Sequence, residues 1–278
     1  MVSETNAAAQ PQVPSPKDAS TVLLVRDGAT GPEVFLQRRV GAMAFAAGMT
    51  VFPGGGVDPS DGTADIEWAG PEPAWWAEKF GTTDTRAKAL VAAAVRETFE
   101  ECGVLLAGPT ADSIVSDTTG YHDARGRLER REVSLAAFLA EEKLVLRADL
   151  LRPWANWITP VIEPRRYDTH FFVAVLPQGQ LADGATSEAA EVQWRTAAEE
   201  LERWRAGTDV LLPPTWAQLD AISAFGSTAE ILAVDKVIEP IMPVLSGDNG
   251  RQVLEFPDNQ RYFAGIPDTS RLKGSARP

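Results

Sequence analysis

The sequence predicts an α/β fold, on three observations. Aliphatic and β-branched runs bounded by turn residues recur at 20–27 (STVLLVRD), 34–39 (VFLQRR) and 170–177 (HFFVAVLP). Stretches of helical periodicity lie between and after them, the clearest over residues 84–102. With 44% hydrophobic and 23% charged residues over 278 positions, the chain can bury a sizeable core without disulfides or structural metal.

Taken in order, residues 1–18 lack both the basic start and the apolar stretch of a secretory signal, and are expected to form a disordered lead-in. Residues 20–27 then read as a strand, Asp27-Gly28 as a turn, and 34–39 as the returning arm of a hairpin. In MAFAAGMTVFPGGGVDP (43–59), Pro53 and three consecutive glycines are expected to exclude regular structure beyond Phe52. Residues 58–84, rich in Gly, Pro, Asp and Trp, read as an insertion with a short helix, placed as a lid whose pair Trp75-Trp76 covers a ligand. The helix that follows is capped by Thr83 or Asp84 and stopped by Gly103.

Residues 133–142 (VSLAAFLAEE) suggest another helix, and 154–160 and 170–177 suggest strands flanking the loop VIEPRRYDT. A strand over 191–196 precedes three amphipathic segments, AAEELERWRAG, PPTWAQLDAISAFGS and TAEILAVDKVIE, and no internal repeat is present. The expected organisation is an α/β domain over 19–200, a helical extension over 201–245 and a weakly patterned tail over 246–278. The tryptophans at 154, 157, 194, 204 and 216 are assigned to core and interface packing.

A net charge of −13 repels nucleic-acid phosphates, and the C-terminal helices carry no basic recognition face, so no nucleic-acid partner is expected. No apolar run has the length of a membrane span. The single cysteine, Cys102, excludes an intrachain disulfide and a multi-cysteine zinc site. It suggests a reducing compartment, and the ending SARP lacks a Ser-Lys-Leu address, so the expected location is cytoplasmic.

The stretch VRETFEECGVLL (95–106) concentrates the chemistry. At 100° per residue, Val91, Val95, Phe99, Cys102 and Leu106 gather on one side, which leaves Cys102 a packing role. Glu97, Glu100 and Glu101 gather on the other, with Arg96 beside them. A solvated acidic face is the ordinary account of such a pattern. Against it, the acids sit toward the helix C-terminus, where the macrodipole disfavours negative charge. The helix also follows a Gly-Gly-Gly turn that lets backbone approach a ligand closely. Clustered carboxylates suit hard divalent cations, which bridge to substrate phosphates.

Residues 96–104, RETFEECGV, resemble the second half of the Nudix box, and Gly54–Gly56 resembles its start. One position departs from the pattern: the box acid expected eight residues before the arginine is Lys88, so that acid is lost or displaced by the insertion. The insertion, together with FPGGGVD (52–58), PRRYDTHFF (164–172), Ser187-Glu188…Trp194 and LLPPTW (211–216), resembles the Nudix branch that includes the peroxisomal coenzyme A diphosphatase of mammals. Of the signature for coenzyme A, Gly48-x-x-x-Phe52-Pro53-Gly54-Gly55 is present and Arg38 fits the strand arginine, while a second arginine is absent from residues 40–47.

The resemblance implies an α/β/α sandwich around a mixed sheet, with the acidic helix against one face. It implies hydrolysis of a diphosphate linkage in a small nucleotide-derived substrate by water attack on phosphorus. Glu97, Glu100 and Glu101 would hold Mg²⁺ or Mn²⁺, a Gly54–Gly56 carbonyl, taken as that of Gly55, would complete the shell, and Arg96 would orient the acids. Glu188 is the candidate general base, with Glu191 second. Arg38, Gly54, Gly56, Arg165, Arg166 and Tyr167 are the candidate substrate contacts, and a homodimer is possible by analogy with the family. Coenzyme A or an acyl-coenzyme A is the leading substrate. ADP-ribose, NADH, a nucleoside triphosphate, or a non-catalytic nucleotide sensor are the alternatives.

Overall fold

The computed structural model describes residues 13–41, 46–247 and 253–266. Most of the lead-in, residues 1–12, and much of the segment after 246 lie outside them. The central strand is β1 (Lys17–Asp27), whose apolar run VLLV is buried on both faces. Such two-sided burial explains a continuous rather than alternating apolar pattern.

The main sheet is mixed, in the order β10-β2-β1-β9-β8-β11. Strand β2 is Pro32–Arg39, β8 is Leu151–Ile158, β9 is Tyr167–Val175, β10 is Ala189–Thr196 and β11 is Pro240–Ile241. Both β1–β9 and β8–β11 run parallel, and the remaining neighbours run antiparallel. Strands β8 and β9 each begin three residues before the positions expected from sequence, so Tyr167 and Asp168 belong to a strand and not to the loop.

The hairpin β1–β2 forks. The two strands pair only from Val25↔Val34 to Asp27↔Pro32; beyond that β3 (Thr50–Val51) joins β2 and β4 (Gly54–Gly56) joins β1. The glycine run is thus a strand, contrary to the expectation that regular structure ends at Phe52. Pro53 needs no N–H there, because it contributes its carbonyl to Val22 N at 2.9 Å. Glycine is required at position 54, where a Cβ would lie 2.5 Å from Ser20 O.

Alternation within the strands makes two cores. Val22, Leu24 and Phe35 face a layer containing α3 (Asp84–Cys102), while Leu23, Val25, Val34 and Leu36 face a layer built after residue 196. Helix α3 has the predicted ends: Thr83 Oγ1 accepts from Arg86 N, and Gly103 closes the helix in the left-handed region at φ 72°. Beside it lie α4 (His122–Glu129) and α5 (Leu135–Glu142), the latter matching the expected 133–142. The opposite layer holds α6 (Ala197–Arg205), α7 (Pro213–Ile222), α8 (Thr228–Leu232) and α9 (Asn259–Gly265). Trp154, Trp157, Trp204 and Trp216 are buried in that second core, as expected. Helix α8 is shorter than the segment 228–239 suggested; the chain continues without regular structure to β11.

The insertion folds as α1 (Pro59–Thr63), β5 (Trp68–Ala69) and α2 (Pro73–Phe80), with β5 in a small sheet beside β7 (Val145–Arg147) and β6 (Ala107–Gly108). It is not a lid. Trp76 is fully buried in the first core, stacked 6.0 Å from Phe80 and tilted against Phe172 at 5.7 Å, and only Trp75 is exposed. No helix among the described residues is long and apolar enough to cross a membrane.

Because Trp76 is core, Trp76→Ala should lower unfolding free energy by about 3–5 kcal/mol in urea denaturation, the usual cost of emptying a buried aromatic site. His170 is 1% exposed, against the Phe80 ring at 4.7 Å, and burial pushes its pKa down to about 4. The unfolded chain, with a histidine pKa of about 6.5, takes up that proton first, so stability is lost as pH falls from about 6.5 to about 4. At 1.36 kcal/mol per pH unit the loss is about 3 kcal/mol. In His170→Gln the decline of stability with pH over that window should be shallower by about that amount, measured by denaturation at pH 7 and pH 4.5.

Candidate active site

The C-terminal half of α3 lies over the fork between β1 and β2. Ser20 Oγ on β1 donates to Leu90 O at 2.7 Å and fixes the middle of the helix against the sheet. About two and three turns later, Glu97 and Glu101 come down on β4. The Glu97 carboxylate occupies the space a side chain at Gly55 would fill: a Cβ there would lie 2.6 Å from its carboxyl carbon. Glu101 accepts hydrogen bonds from Gly54 N at 2.8 Å and from Gln37 Nε2 on β2.

These acids are not a solvated face. Glu97 is 9% exposed and Glu101 4%. Burial raises the Glu97 carboxyl to about 7 and the Glu101 carboxyl to about 8; burial also raises Glu100. Cys102, on the packed side as expected, is buried and its thiol is pushed up to about 12.

Arg96 holds the group together. Its Nη1 donates to Glu97 Oε1 at 2.8 Å and to Glu100 Oε1 at 3.3 Å, and its Nη2 donates to Gly56 O at 2.8 Å. The same guanidinium grips Asp61, through Nη2–Oδ2 at 2.9 Å and Nε–Oδ1 at 3.2 Å. Asp61 was not among the residues singled out from sequence, and it answers the question raised by Lys88. The acid partner of Arg96 is displaced to the start of the insertion, in α1, and Lys88 instead ties the insertion down by donating to Ala64 O at 2.8 Å. The available signal was spacing from the glycine turn, since Asp61 follows Gly55 after five residues.

Strand parity decides the arginines. Phe35 and Gln37 point toward α3, and Arg39 continues that set; Arg38 points to the opposite face, where it pairs with Glu191 at 3.1 Å, both side chains about half exposed. Arg39 Nη2 donates instead to Glu188 Oε2 at 2.8 Å. The negative charge of Glu188 contributes to the upward shifts of Glu97 and Glu101, which places it beside the acid group. The structure therefore brings Glu97, Glu100, Glu101, Arg96, Gly54, Gly55, Gly56 and Glu188 together, adds Asp61, Gln37 and Arg39, and leaves Arg38 and Glu191 outside.

Arg165, Arg166 and Tyr167 are also outside. Tyr167 pairs with Lys17, four residues before the Thr21↔Gly54 pair, or about 13 Å along β1. Arg166 is buried and spends its guanidinium on Thr159 O at 3.0 Å and Pro14 O at 2.8 Å, holding the chain before β1 to the β8–β9 turn. Arg165 is exposed beside it.

Donor type and charge fit a hard divalent cation. Three carboxylates, Asp61, Glu97 and Glu100, share one buried guanidinium, a fourth, Glu101, has no cation bonded to it among the described residues, and Gln37 Oε1 is buried without a hydrogen bond. Among the described residues no three His, Cys, Asp or Glu side chains converge on one point. Arg96 draws Glu97 and Glu100 to itself, and Gly54 and Gln37 draw Glu101.

Comparison with known proteins gives the family to which this fold and helix belong. The model of the NUDT19 Nudix domain matches residues 75–222, from within α2 to the end of α7. The acyl-coenzyme A diphosphatase NUDT19 of Xenopus laevis is 25% identical over 293 aligned positions, covering 91% of this chain and 75% of the relative. The putative nudix hydrolase 7 of Caenorhabditis elegans is 27% identical over 84% of this chain and 71% of its own length. Among solved structures, a NUDIX hydrolase from Alicyclobacillus acidocaldarius superposes with a TM-score of 0.65 at 27% identity, covering 80% of this chain and 98% of the other. The family match extends over more than half of the chain, and the protein is a Nudix hydrolase of the NUDT19 type.

Proposed function

We propose that this enzyme hydrolyses the diphosphate linkage of coenzyme A or an acyl-coenzyme A with the help of Mg²⁺ or Mn²⁺. The observation that carries the reading is the buried acid group on α3, packed against a strand of three glycines and short of positive charge. The substrate class rests on the relative from Xenopus laevis, described as an acyl-coenzyme A diphosphatase.

Glu97, Glu100 and Glu101, with the Gly55 carbonyl, would hold the cation. Bound there, it supplies charge neutralisation and Lewis acidity at a phosphoryl group. Arg96 keeps Glu97 and Glu100 oriented, and Asp61 keeps Arg96 in place through two hydrogen bonds. Glu188, half-exposed and held by Arg39, is the base that takes a proton from the attacking water. Arg39 stands where Arg38 was expected to serve, on the substrate side of β2. Gly54 and Gly56 admit the phosphates close to the backbone. A nucleotide sensor that only binds has no need of buried, mutually repelling acids, so the hydrolytic reading is preferred.

A panel of coenzyme A, acyl-coenzyme A, ADP-ribose, NADH and nucleoside triphosphates, with products identified by mass spectrometry, tests the substrate assignment. Release of 3′,5′-ADP from coenzyme A is expected, and turnover of another member alone overturns it. Glu100→Gln and Glu101→Gln should each lower turnover by about 10²-fold or more with unchanged circular dichroism. EDTA should abolish wild-type activity and added Mg²⁺ or Mn²⁺ restore it; wild-type rates in both variants refute the metal assignment. Asp61→Ala should reduce turnover by about 10–100-fold, the usual cost of removing a ligand's supporting partner. Unchanged rates would show that Arg96 is held well enough without it.

A further inference from the structure

Two strands beyond β1, at the β8 side of the sheet, strand β8, helix α2 of the insertion and the segment after α8 line a cavity of about 340 Å³ that is open to solvent on one side. Its volume is in the range of small-ligand sites. None of Asp61, Glu97, Glu100, Glu101 and Glu188 lines it.

The charges in this cavity do not balance. Lys79, Arg152 and Lys236 line it, and so do Asp149 and Asp235. Both carboxylates already have cations. Arg147 holds Asp149 at 2.7 Å from outside the cavity, and Lys79 holds Asp235 at 2.5 Å. Arg152 uses Nη1 on the carbonyl oxygens of Asp149 and Leu151, and no carboxylate among the described residues pairs with it. Lys236 has no ion-pair partner among the described residues either; its ammonium lies 3.8 Å over the ring of Trp154. Its partial burial without a counter-charge pulls the amine down to about 8. Two unneutralised cations thus share one concave site in a chain of net charge −13. Trp75, 36% exposed, adds an indole ring to the same wall.

We propose that this cavity is a second ligand site, separate from the acid group, for a small organic phosphomonoester with a planar or apolar body. A phosphomonoester carries close to two negative charges near neutral pH, matching Arg152 and Lys236 together. The body rests against Trp75 and the apolar wall of Pro71, Pro153 and Leu232. A carboxylate satisfies one cation and leaves the other unneutralised. The site joins the insertion to the C-terminal segment, and it stands whether or not the substrate proposed above is correct.

Isothermal titration calorimetry on the full chain, with EDTA present so that the metal-dependent site takes no phosphate, tests the proposal with phenyl phosphate, benzoate and phenol as probes. Phenyl phosphate should bind saturably at one site, benzoate at least tenfold more weakly, and phenol without measurable heat. Lys236→Gln should weaken phenyl phosphate at least tenfold, while Glu101→Gln leaves it unchanged. Absence of saturable binding, equal binding of benzoate or phenol, indifference to Lys236→Gln, or sensitivity to Glu101→Gln overturns it. If Lys236→Gln fails to fold by circular dichroism, Trp75→Ala, at a partly exposed ring, is the substitute and should weaken phenyl phosphate several-fold.

Discussion

A buried guanidinium is tolerable only when its N–H groups are all engaged and its charge is met. Arg96 meets that demand by drawing on three separate parts of the chain: Asp61 from the insertion, Gly56 O from the glycine strand, and Glu97 and Glu100 from its own helix. Each partner is thereby fixed relative to the others. The fork in the sheet exists to be filled by β3 and β4, and the filled fork is what α3 packs on. Removing one partner of such a group leaves a charge buried without its mate, which is why the arrangement behaves as a unit.

The insertion takes its meaning from this. Its first residues close the Arg96 group, and its last helix completes the core through Trp76 and Phe80. A segment anchored at both ends in this way cannot open and shut over a substrate without breaking the core, and the lid expected from its Gly- and Pro-rich composition follows only if the two tryptophans are treated as a pair. They are adjacent in sequence, so on a helix they diverge by 100°: one enters the core, and the other meets solvent.

What was legible in the sequence was what local chemistry decides. Thr83 and Gly103 announce the ends of α3, and the spacing of Glu97, Glu100 and Glu101 announces a common side. What was not legible depends on long-range pairing. The glycine run became a strand because β1 offers it backbone partners, a fact no window around residues 54–56 contains. Arg38 and Arg39 differ by one position, and only the register that puts Gln37 against Glu101 says which of them faces α3. Asp61 is 35 residues from Arg96 in sequence, and its pairing becomes visible only when the insertion is folded. Arg166 looked like a phosphate grip because arginines in polar loops often are; its actual partners are main-chain carbonyls of distant segments.

The contact between Gly55 and Glu97 carries one more implication, for how variation in this enzyme should be interpreted. A methyl group at position 55 changes no charge, removes no donor and would be scored as mild by any table of amino-acid similarity. Sterically, however, it occupies the place of a carboxyl group that is itself encoded 42 positions away. The smallest possible edit to the backbone strand is therefore an edit of the acid, and a natural variant there would act as an allele of Glu97.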